Sequence, residues 1–339
     1  MPKALSLISG GLDSLVATKL ILEQGVEVEG INFFIGFSGD HDYHFKRNEL
    51  GEESARNLAK KLGIKLHRVD VIQEFKPVLL NPKYGYGVNL NPCLDCKLFM
   101  ISQAKKWMEQ HEFDFLISGE TLGQRPKSQK KKMLPLGSKI SDNLILRPLS
   151  AQLLPETIPE LRGWVKRSSL KKISGRSRSE QISLAKHFGF QELPQPAGGC
   201  LLTDSNFCRR FLDLLNHRDQ KNYTVNDLLL LRTGRHLRPN ENLKLIVGRN
   251  EIENRFIEYH ALGRLLLQSV EYPGSVVLLD GEKNSENIEL AAKTAAYFSK
   301  ARLIPLVQIH LKNQNNDERG NNIITVASFS KEEPSTWYL

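Results

Sequence analysis

The chain has 339 residues, of which 40% are apolar and 25% charged, with a net charge of +9. This composition is that of a soluble globular protein long enough for two or three domains, and it excludes a disordered or collagen-like chain. No run approaches the roughly 20 consecutive apolar residues of a membrane span, and the start lacks the apolar core and cleavage site of a signal peptide, so a cytoplasmic protein with no membrane partner is expected.

Residues 4–8 form an apolar run that ends at SGGLDS (9–14), and Leu15, Val16, Leu20 and Ile21 follow at helical spacing. VEVEGINFFIGF (26–37) reads as a second strand. Leu50, Ala55, Leu58, Ala59 and Leu62 place a helix over 48–62, and IKLHRVDVI (64–72) is a third strand. A helix beginning at the cysteines is expected over 93–110, with Leu98, Ile101, Lys105 and Met108 along one stripe. FDFLISGET (113–121) is a fourth strand and NLILRPLS (143–150) a fifth. Alternation of strand and helix at this spacing predicts an α/β fold with a doubly wound parallel sheet. In such sheets ligands bind beyond the carboxyl ends of the strands. SGGLDS, SGET and the loop after FFIGF all fall there.

Residues 155–190 read as helical and basic, and LPQPAGGCLLTD (193–204) interrupts with prolines and glycines. Helix resumes over 205–220. From about residue 224 the pattern becomes that of a smaller C-terminal α/β domain. The expected divisions are therefore 1–154, a basic helical extension over 155–223 that carries Cys200, and 224–339. A polar, Asn-rich loop (313–323) precedes the last strand.

The basic charge is clustered. Arg125, Lys127, Lys130, Lys131 and Lys132 fall together without a carboxylate. Arg162, Lys166, Arg167, Lys171, Lys172, Arg176 and Arg178 form a second run, again with no acidic residue. Either run alone reads as a solvated face. Two Ser- and Gly-rich runs favour a polyanion partner, nucleic acid first.

The Gly turn after the first strand has a physical logic. Gly10 and Gly11 let backbone N–H groups approach an anion without an intervening Cβ. A helix N-terminus adds unpaired N–H groups and the positive end of its dipole. Ser9 and Ser14 offer hydroxyls, and Asp13 suits Mg²⁺, a cation that prefers oxygen ligands. The plainer reading is a tight turn in which Asp13 and Ser14 cap a helix. The lysine-bearing phosphate loop G-x-x-x-x-G-K-S/T is absent.

Four cysteines are present, Cys93, Cys96, Cys200 and Cys208. The C-x-x-C spacing of the first two suggests metal ligation or redox chemistry. Cys200 lies in a Gly-rich, Pro-flanked loop suited to a reactive or ligated sulfur. Cys208 falls inside a predicted helix and reads as a packing residue. Three thiolates are one short of a closed zinc site, whereas three can hold a [4Fe–4S] cluster with one iron open. The rival is cluster-free chemistry, in which one cysteine carries a persulfide and another resolves it. His41 and His44 of DHDYH (40–44) read as a solvated loop ahead of a metal site, and YGYG (84–87) as a loop ahead of a base-stacking platform.

SGGLDS resembles the SGGxDS signature of the PP-loop ATP pyrophosphatases. That resemblance implies cleavage of ATP between its α and β phosphates, adenylation of a substrate oxygen, and a nucleotide site at Ser9, Gly10, Gly11, Asp13 and Ser14, with Phe33 near adenine. SGETLGQ (118–124), followed by Ser128 and Gln129, resembles a stretch of the tRNA 4-thiouridine synthetases and brings Gly119 and Gln124 into that site. NPCLDC (91–96) resembles the NPCxxC of tRNA 2-thiouridylases. The thiolase likeness covers roughly residues 1–204, shows no counterpart of a THUMP-bearing region, and shows no rhodanese-like segment, so sulfur delivery by that route is not expected. It implies catalytic roles for Asp13, Cys93, Cys96 and Cys200. It also implies ATP, Mg²⁺ and a [4Fe–4S] cluster on Cys93, Cys96 and Cys200 as cofactors, and inorganic sulfide or a persulfide carrier as sulfur donor. Position 8 of tRNA is the target suggested by SGETLGQ, and the wobble position by NPCLDC.

GRHLRP (234–239), LIVGRNEIEN (245–254), YPGSVVLL (272–279) and ELAAKTAAYFSKAR (289–302) resemble the RNA-binding domain of the NFACT family. The likeness implies RNA contact, with Arg235, His236, Arg238, Arg249, Asn250, Lys300 and Arg302 as candidates. A tRNA sulfurtransferase is the expectation. The alternatives are another PP-loop ligase, which needs neither the cysteines nor the basic runs, and a nucleotide-holding RNA-binding protein without chemistry.

Overall fold

The computed structural model describes residues 1–37, 53–194, 199–313, 322–329 and 333–339. The chain divides into two compact units, the first ending at Thr203 and the second beginning at Asp204.

The first unit runs β1 (Lys3–Leu7), α1 (Leu12–Leu22), β2 (Glu27–Phe34), α2 (Glu53–Leu62), β3 (Leu66–Asp70), α3 (Ile72–Leu80) and α4 (Cys93–Gln110). It continues with β4 (Phe115–Ser118), α5 (Leu134–Ile140), β5 (Ile145–Leu146), α6 (Ile158–Leu161) and α7 (Ser179–His187). All five strands are parallel, in the order β3-β2-β1-β4-β5. This is the doubly wound sheet expected from the alternating pattern. Both faces are buried, so successive strand residues enter different cores. Ala4, Val28, Phe115 and Ile117 pack with Val16, Ala17, Leu20 and Ile21 of α1 and Ala185 of α7. Leu5, Leu7, Ile31, Phe33 and Leu116 pack on the other side with Ile101, Ala104 and Met108 of α4. The chain leaves β1 toward β2 and β3, then returns to β4 on its other flank. The crevice beyond the carboxyl ends of β1 and β4 is the switch point where such sheets hold ligands.

Residues 155–178 depart from the expected helix. They contain only the one-turn α6 and a short 3₁₀ turn at Arg167–Ser169. Pro155, Pro159, Gly163 and Gly175 interrupt the segment, and proline and glycine are the poorest residues for a helix interior. The segment expected to be a separate extension is divided: residues up to Thr203 belong to the first unit and Asp204 onward to the second.

The second unit comprises α8 (Ser205–Asn216), α9 (Val225–Leu230), β6 (Arg235–Asn240), β7 (Leu243–Val247), α10 (Glu251–His260) and β8 (Leu265–Ser269). After these come β9 (Val277–Gly281), α11 (Ser285–Tyr297), β10 (Val307–Asn313) and β11 (Ile323–Val326). Its sheet has the order β11-β10-β8-β9-β7-β6, and every pairing is antiparallel. Leu245, Val247, Leu267, Val277 and Leu279 pack against Ala291, Ala292, Ala295 and Ala296 of α11. Their neighbours Ile246, Leu266 and Leu278 point the other way, onto Leu230, Ile257 and Ala261. Cys208 is buried in α8, as expected of a packing residue.

Candidate active site

The turn after β1 is built for close approach. Gly10 has φ +77°, and a Cβ there would lie 2.3 Å from Ser54 Oγ. Gly11 occupies the N-cap of α1 in extended geometry, and no side chain caps the helix. Ser14 Oγ instead donates to the Gly11 carbonyl at 2.8 Å. The plainer reading, in which Asp13 or Ser14 caps the helix, is therefore not what the side chains do. The first N–H groups of α1 keep their anion-binding capacity. From the other side, the end of β4 presses on this turn. A Cβ on Gly119 would sit 2.7 Å from Asp13 C and Ser14 N.

Asp13 is held at one oxygen. Its Oδ2 accepts from Gln124 Nε2 at 2.9 Å, with Arg178 4.0 Å away. Its Oδ1 is buried and has no hydrogen-bond partner among the described residues. A buried carboxylate oxygen left unpaired is costly, and it is the kind of donor a hard divalent cation takes.

A cavity of about 280 Å³ opens above the turn. Ser9, Asp13, Ser14, Phe33, Gly119 and Arg125 line it, together with Cys93, Cys96 and Cys200. Cys93 and Cys96 stand in the first turn of α4. Cys93 Sγ lies 3.7 Å from Ser128 Oγ. Cys200 comes from far along the chain, and it is placed by Leu201 N, which donates to the Phe37 carbonyl at 3.0 Å. Burial pushes the Cys96 thiol pKa up, and Cys200 and Cys93 push it further; Lys97 and Arg125 pull the other way without prevailing. All four cysteines are described and none is in a disulfide. Among the described residues no three His, Cys, Asp or Glu side chains are grouped as a metal-ion site.

Beneath the cavity lies a buried ion pair that the sequence reading did not single out. Arg147 Nε donates to Glu120 Oε2 at 3.0 Å, and the two side chains are only 4% and 3% exposed. Arg147 also donates to Ser138 Oγ at 2.9 Å and to the Leu134 carbonyl at 3.1 Å. Burial alone would raise the Glu120 pKa; Lys97 and Arg147 outweigh it, and the net shift is downward. Lys97 itself lines the cavity. The available signal was a charged residue at the end of an apolar strand, Arg147 in LILRPL, facing Glu120 in SGET.

The structure brings together most of the expected nucleotide and sulfur residues. Gly10 and Gly11 form the turn, Gln124 grips Asp13, and the others line the cavity. Arg125, Lys127, Lys130, Lys131 and Lys132 are exposed. Lys127 Nζ donates to the Tyr86 carbonyl at 3.3 Å. Lys166, Lys172 and Arg176 are exposed and Lys171 is half-buried, while Arg167 pairs with Glu160. In the second unit Arg235 lies over the Phe298 ring and Arg302 over Tyr297. Arg238 pairs with Asp213, Arg249 with Glu253, and Asn250 caps α10. Lys300 is exposed. His236 is corrected as a contact candidate: it is 1% exposed, with Nε2 on the Thr233 carbonyl. His41 and His44 lie outside the described residues.

Residues 1–154 match the family described as thiamine biosynthesis protein (ThiI). Over those residues the first unit is similar to that family. Residues 234–338 match the RNA-binding domain of the NFACT proteins. Curated relatives match part of the chain as well. One is the tRNA-specific 2-thiouridylase MnmA of Sulfurimonas denitrificans, 29% identical over 178 residues, covering 51% of this chain and 49% of that protein. Another is the tRNA sulfurtransferase of Edwardsiella ictaluri, 30% identical over 206 residues, covering 55% of this chain and 39% of that one. The chain thus spans less than half the length of these two relatives. A solved 4-thiouridine synthetase–RNA complex with bound ATP is similar to the chain at 21% identity and TM-score 0.41, covering 60% of this chain and 46% of that one. Among the described residues no helix is long and apolar enough to cross a membrane.

Proposed function

We propose that the chain is an ATP-dependent tRNA sulfurtransferase that replaces a uridine carbonyl oxygen with sulfur, forming 4-thiouridine or 2-thiouridine. One observation carries this reading: the SGGLDS turn and three cysteines from two distant segments of the chain line the same cavity. An anion cradle alone holds a nucleotide, and three thiols alone hold sulfur or metal. Together they support activation of an oxygen and its replacement.

The phosphates of ATP lie on Ser9–Ser14, with adenine toward Phe33. The uridine oxygen attacks the α phosphorus, and the electron pair of the broken Pα–O bond leaves with pyrophosphate. The N–H groups at the turn stabilise that charge where it develops. A sulfur nucleophile presented by Cys93, Cys96 and Cys200 then attacks the activated carbon, and AMP departs with the former uridine oxygen. The unpaired Asp13 Oδ1 fits Mg²⁺, which would neutralise phosphate charge. The three thiols fit a [4Fe–4S] cluster by donor chemistry, and such a cluster would supply an open iron position for an inorganic sulfur donor. The same thiols also suit persulfide transfer with a resolving cysteine. The exposed cations of 125–132 and 162–176, with the NFACT-type domain, are assigned to the tRNA backbone.

Anaerobically purified protein, incubated with ATP, Mg²⁺, sulfide and unmodified tRNA, is expected to yield thiouridine by nucleoside mass spectrometry. Cys200→Ala is expected to abolish the thionucleoside while tRNA affinity and tRNA-dependent pyrophosphate release persist. An unchanged thionucleoside yield in that variant would remove Cys200 from the chemistry. Tight tRNA binding without tRNA-dependent pyrophosphate release would instead assign a nucleotide-holding RNA-binding protein.

A further inference from the structure

The segment between α3 and α4, residues 81–92, is irregular, and its sequence NPKYGYGVNLNP has no carboxylate. Among the described residues of the first unit, six large apolar or aromatic side chains are exposed. Three of the six fall in this segment: Tyr84 (43%), Tyr86 (39%) and Val88 (64%). Aromatic rings stabilise a fold by being buried, so a cluster of them held in solvent points to an occupant.

The rings are not exposed because the chain is loose. The buried Asp95 carboxylate accepts from Lys83 N at 2.9 Å and from Tyr84 N at 3.1 Å. Tyr86 Oη donates to the Leu79 carbonyl at 2.7 Å, and Gly87 N to the Asn91 carbonyl at 2.6 Å. Asn89 Nδ2 ties the far end to the Thr203 carbonyl. Gly85 turns the chain between the two rings at φ +72°, and a Cβ there would have nothing within 4 Å. The loop is therefore a fixed frame with open space beside its rings.

The surroundings name the occupant. Lys83 Nζ lies 5.6 Å from the centroid of the Tyr84 ring. Lys127, from the exposed basic run, donates to the Tyr86 carbonyl. Downstream, the same segment becomes cavity wall at Asn91, Pro92 and Cys93. Aromatic faces stack on bases, and cations beside them meet phosphates; together they form the surface that binds unpaired nucleotides. An apolar protein patch would leave the lysines without partners.

We propose that Tyr84 and Tyr86 are a stacking platform for unpaired bases that flank the target uridine, with Lys83 and Lys127 on the adjoining phosphates. The platform leads into the cavity that the SGGLDS turn and the cysteines share, and so sets which nucleotide reaches it. The substrate is then an unpaired stretch of tRNA rather than a duplex. The inference rests on the sulfurtransferase reading above.

The probes are unmodified tRNA and a short oligouridine carrying 5-iodouridine, whose base crosslinks to an aromatic ring on which it stacks. An oligouridine serves because stacking tolerates any base. Mass spectrometry is expected to place the crosslink at Tyr84 or Tyr86, and unmodified tRNA to compete it away. Tyr84→Ala is expected to weaken tRNA binding roughly 5- to 150-fold, the range for one stacked base, and Tyr84→Phe to restore it. The factor is the same at every salt concentration, because no charge is lost. Lys127→Gln instead reduces the slope of log affinity against log salt by about 0.7–0.9, one phosphate contact. ATP affinity by calorimetry stays at the wild-type value in all three variants. Wild-type tRNA affinity in Tyr84→Ala overturns the platform; if thiolation then fails only with a persulfide-carrier protein as donor, the patch belongs to that protein. Crosslinking at Tyr84 in protein that shows no tRNA-dependent pyrophosphate release overturns the sulfurtransferase reading and leaves the platform standing.

Discussion

Replacing Arg147 by methionine tests the support beneath the cavity. The side chain keeps its length, but Glu120 loses its guanidinium partner, and Ser138 Oγ and the Leu134 carbonyl lose a donor. Both members of the pair are almost fully buried, so water does not replace what is removed. Removing one partner of a buried pair costs about 3–5 kcal/mol. A unit of about 200 residues moves about 2–4 °C per kcal/mol, so its midpoint should fall by roughly 6–20 °C. Two of the three tryptophans, Trp107 and Trp164, lie in this unit, and their fluorescence during thermal or urea unfolding reports it. The pH dependence carries a sign. The Glu120 pKa is depressed below its ordinary value of 4.5. The pair's contribution is therefore full above that pH and is lost as pH falls through the folded value. The gap between wild type and Arg147→Met should narrow below pH 4.5. Combining Arg147→Met with Glu120→Leu should cost less than the two single changes added together. A midpoint shift below about 2 °C, or a gap that persists undiminished in acid, refutes the reasoning.

Gly119→Ala places a Cβ 2.7 Å from two backbone atoms of α1 and 2.9 Å from a third. Backbone cannot rotate aside as a side chain can, so β4 and the turn must separate. Overpacking of this kind costs about 1–3 kcal/mol, and ATP affinity by calorimetry should fall at least ~10-fold because the cradle is displaced. Gly25→Ala is the control, with φ +78° and nothing within 4 Å: it loses stability and keeps ATP binding. Equal ATP affinity in the two variants would mean that the close approach at Gly119 does not shape the site. In the second unit, burial, then Lys244 and Arg210, hold the His236 pKa well below 6.5, and burial takes His260 down to about 4. Both fold as neutral rings, so stability is full above pH 6.5 and is lost as the unfolded chain gains protons below it. Calorimetry should show this unit's midpoint falling between pH 6.5 and pH 5, less so in His236→Gln; a flat profile would contradict the buried neutral histidines.

Much of the first unit was legible because its signals are local. Strand runs end in glycine, helical stripes follow, and α4 begins at Cys93 where the spacing placed it. That SGGLDS and SGET meet was readable from the rule that such loops share one edge of a parallel sheet; the place of the cysteines beside them was not. Other features were hidden for specific reasons. Pro77 masked α3 by interrupting a short helical pattern. Composition showed a basic run at 162–178 but not that the chain turns Arg178 inward while Arg176 stays in solvent. The Glu120–Arg147 pair joins residues just past the ends of two neighbouring strands, β4 and β5, a relation only the sheet order reveals. His236 sits between arginines in sequence and looked like part of a contact surface, yet β6 points it into the core.

The loop before α4 joins the two cysteine-bearing segments. Asp95, between the paired cysteines, accepts from the backbone N–H groups of Lys83 and Tyr84. Six residues after Lys83, Asn89 Nδ2 donates to the Thr203 carbonyl at 2.8 Å, and Thr203 in turn donates to the Cys200 carbonyl. The span between the C-x-x-C helix and Cys200 is thus fixed by polypeptide rather than by anything the sulfurs grasp. A sulfur-binding group arriving here meets two cysteine-bearing segments whose backbones folding has already joined, so less entropy is lost in drawing their thiols together than across an open loop. Its removal should leave the unit folded and ready to be reloaded, unlike small domains that unravel when their metal is taken away.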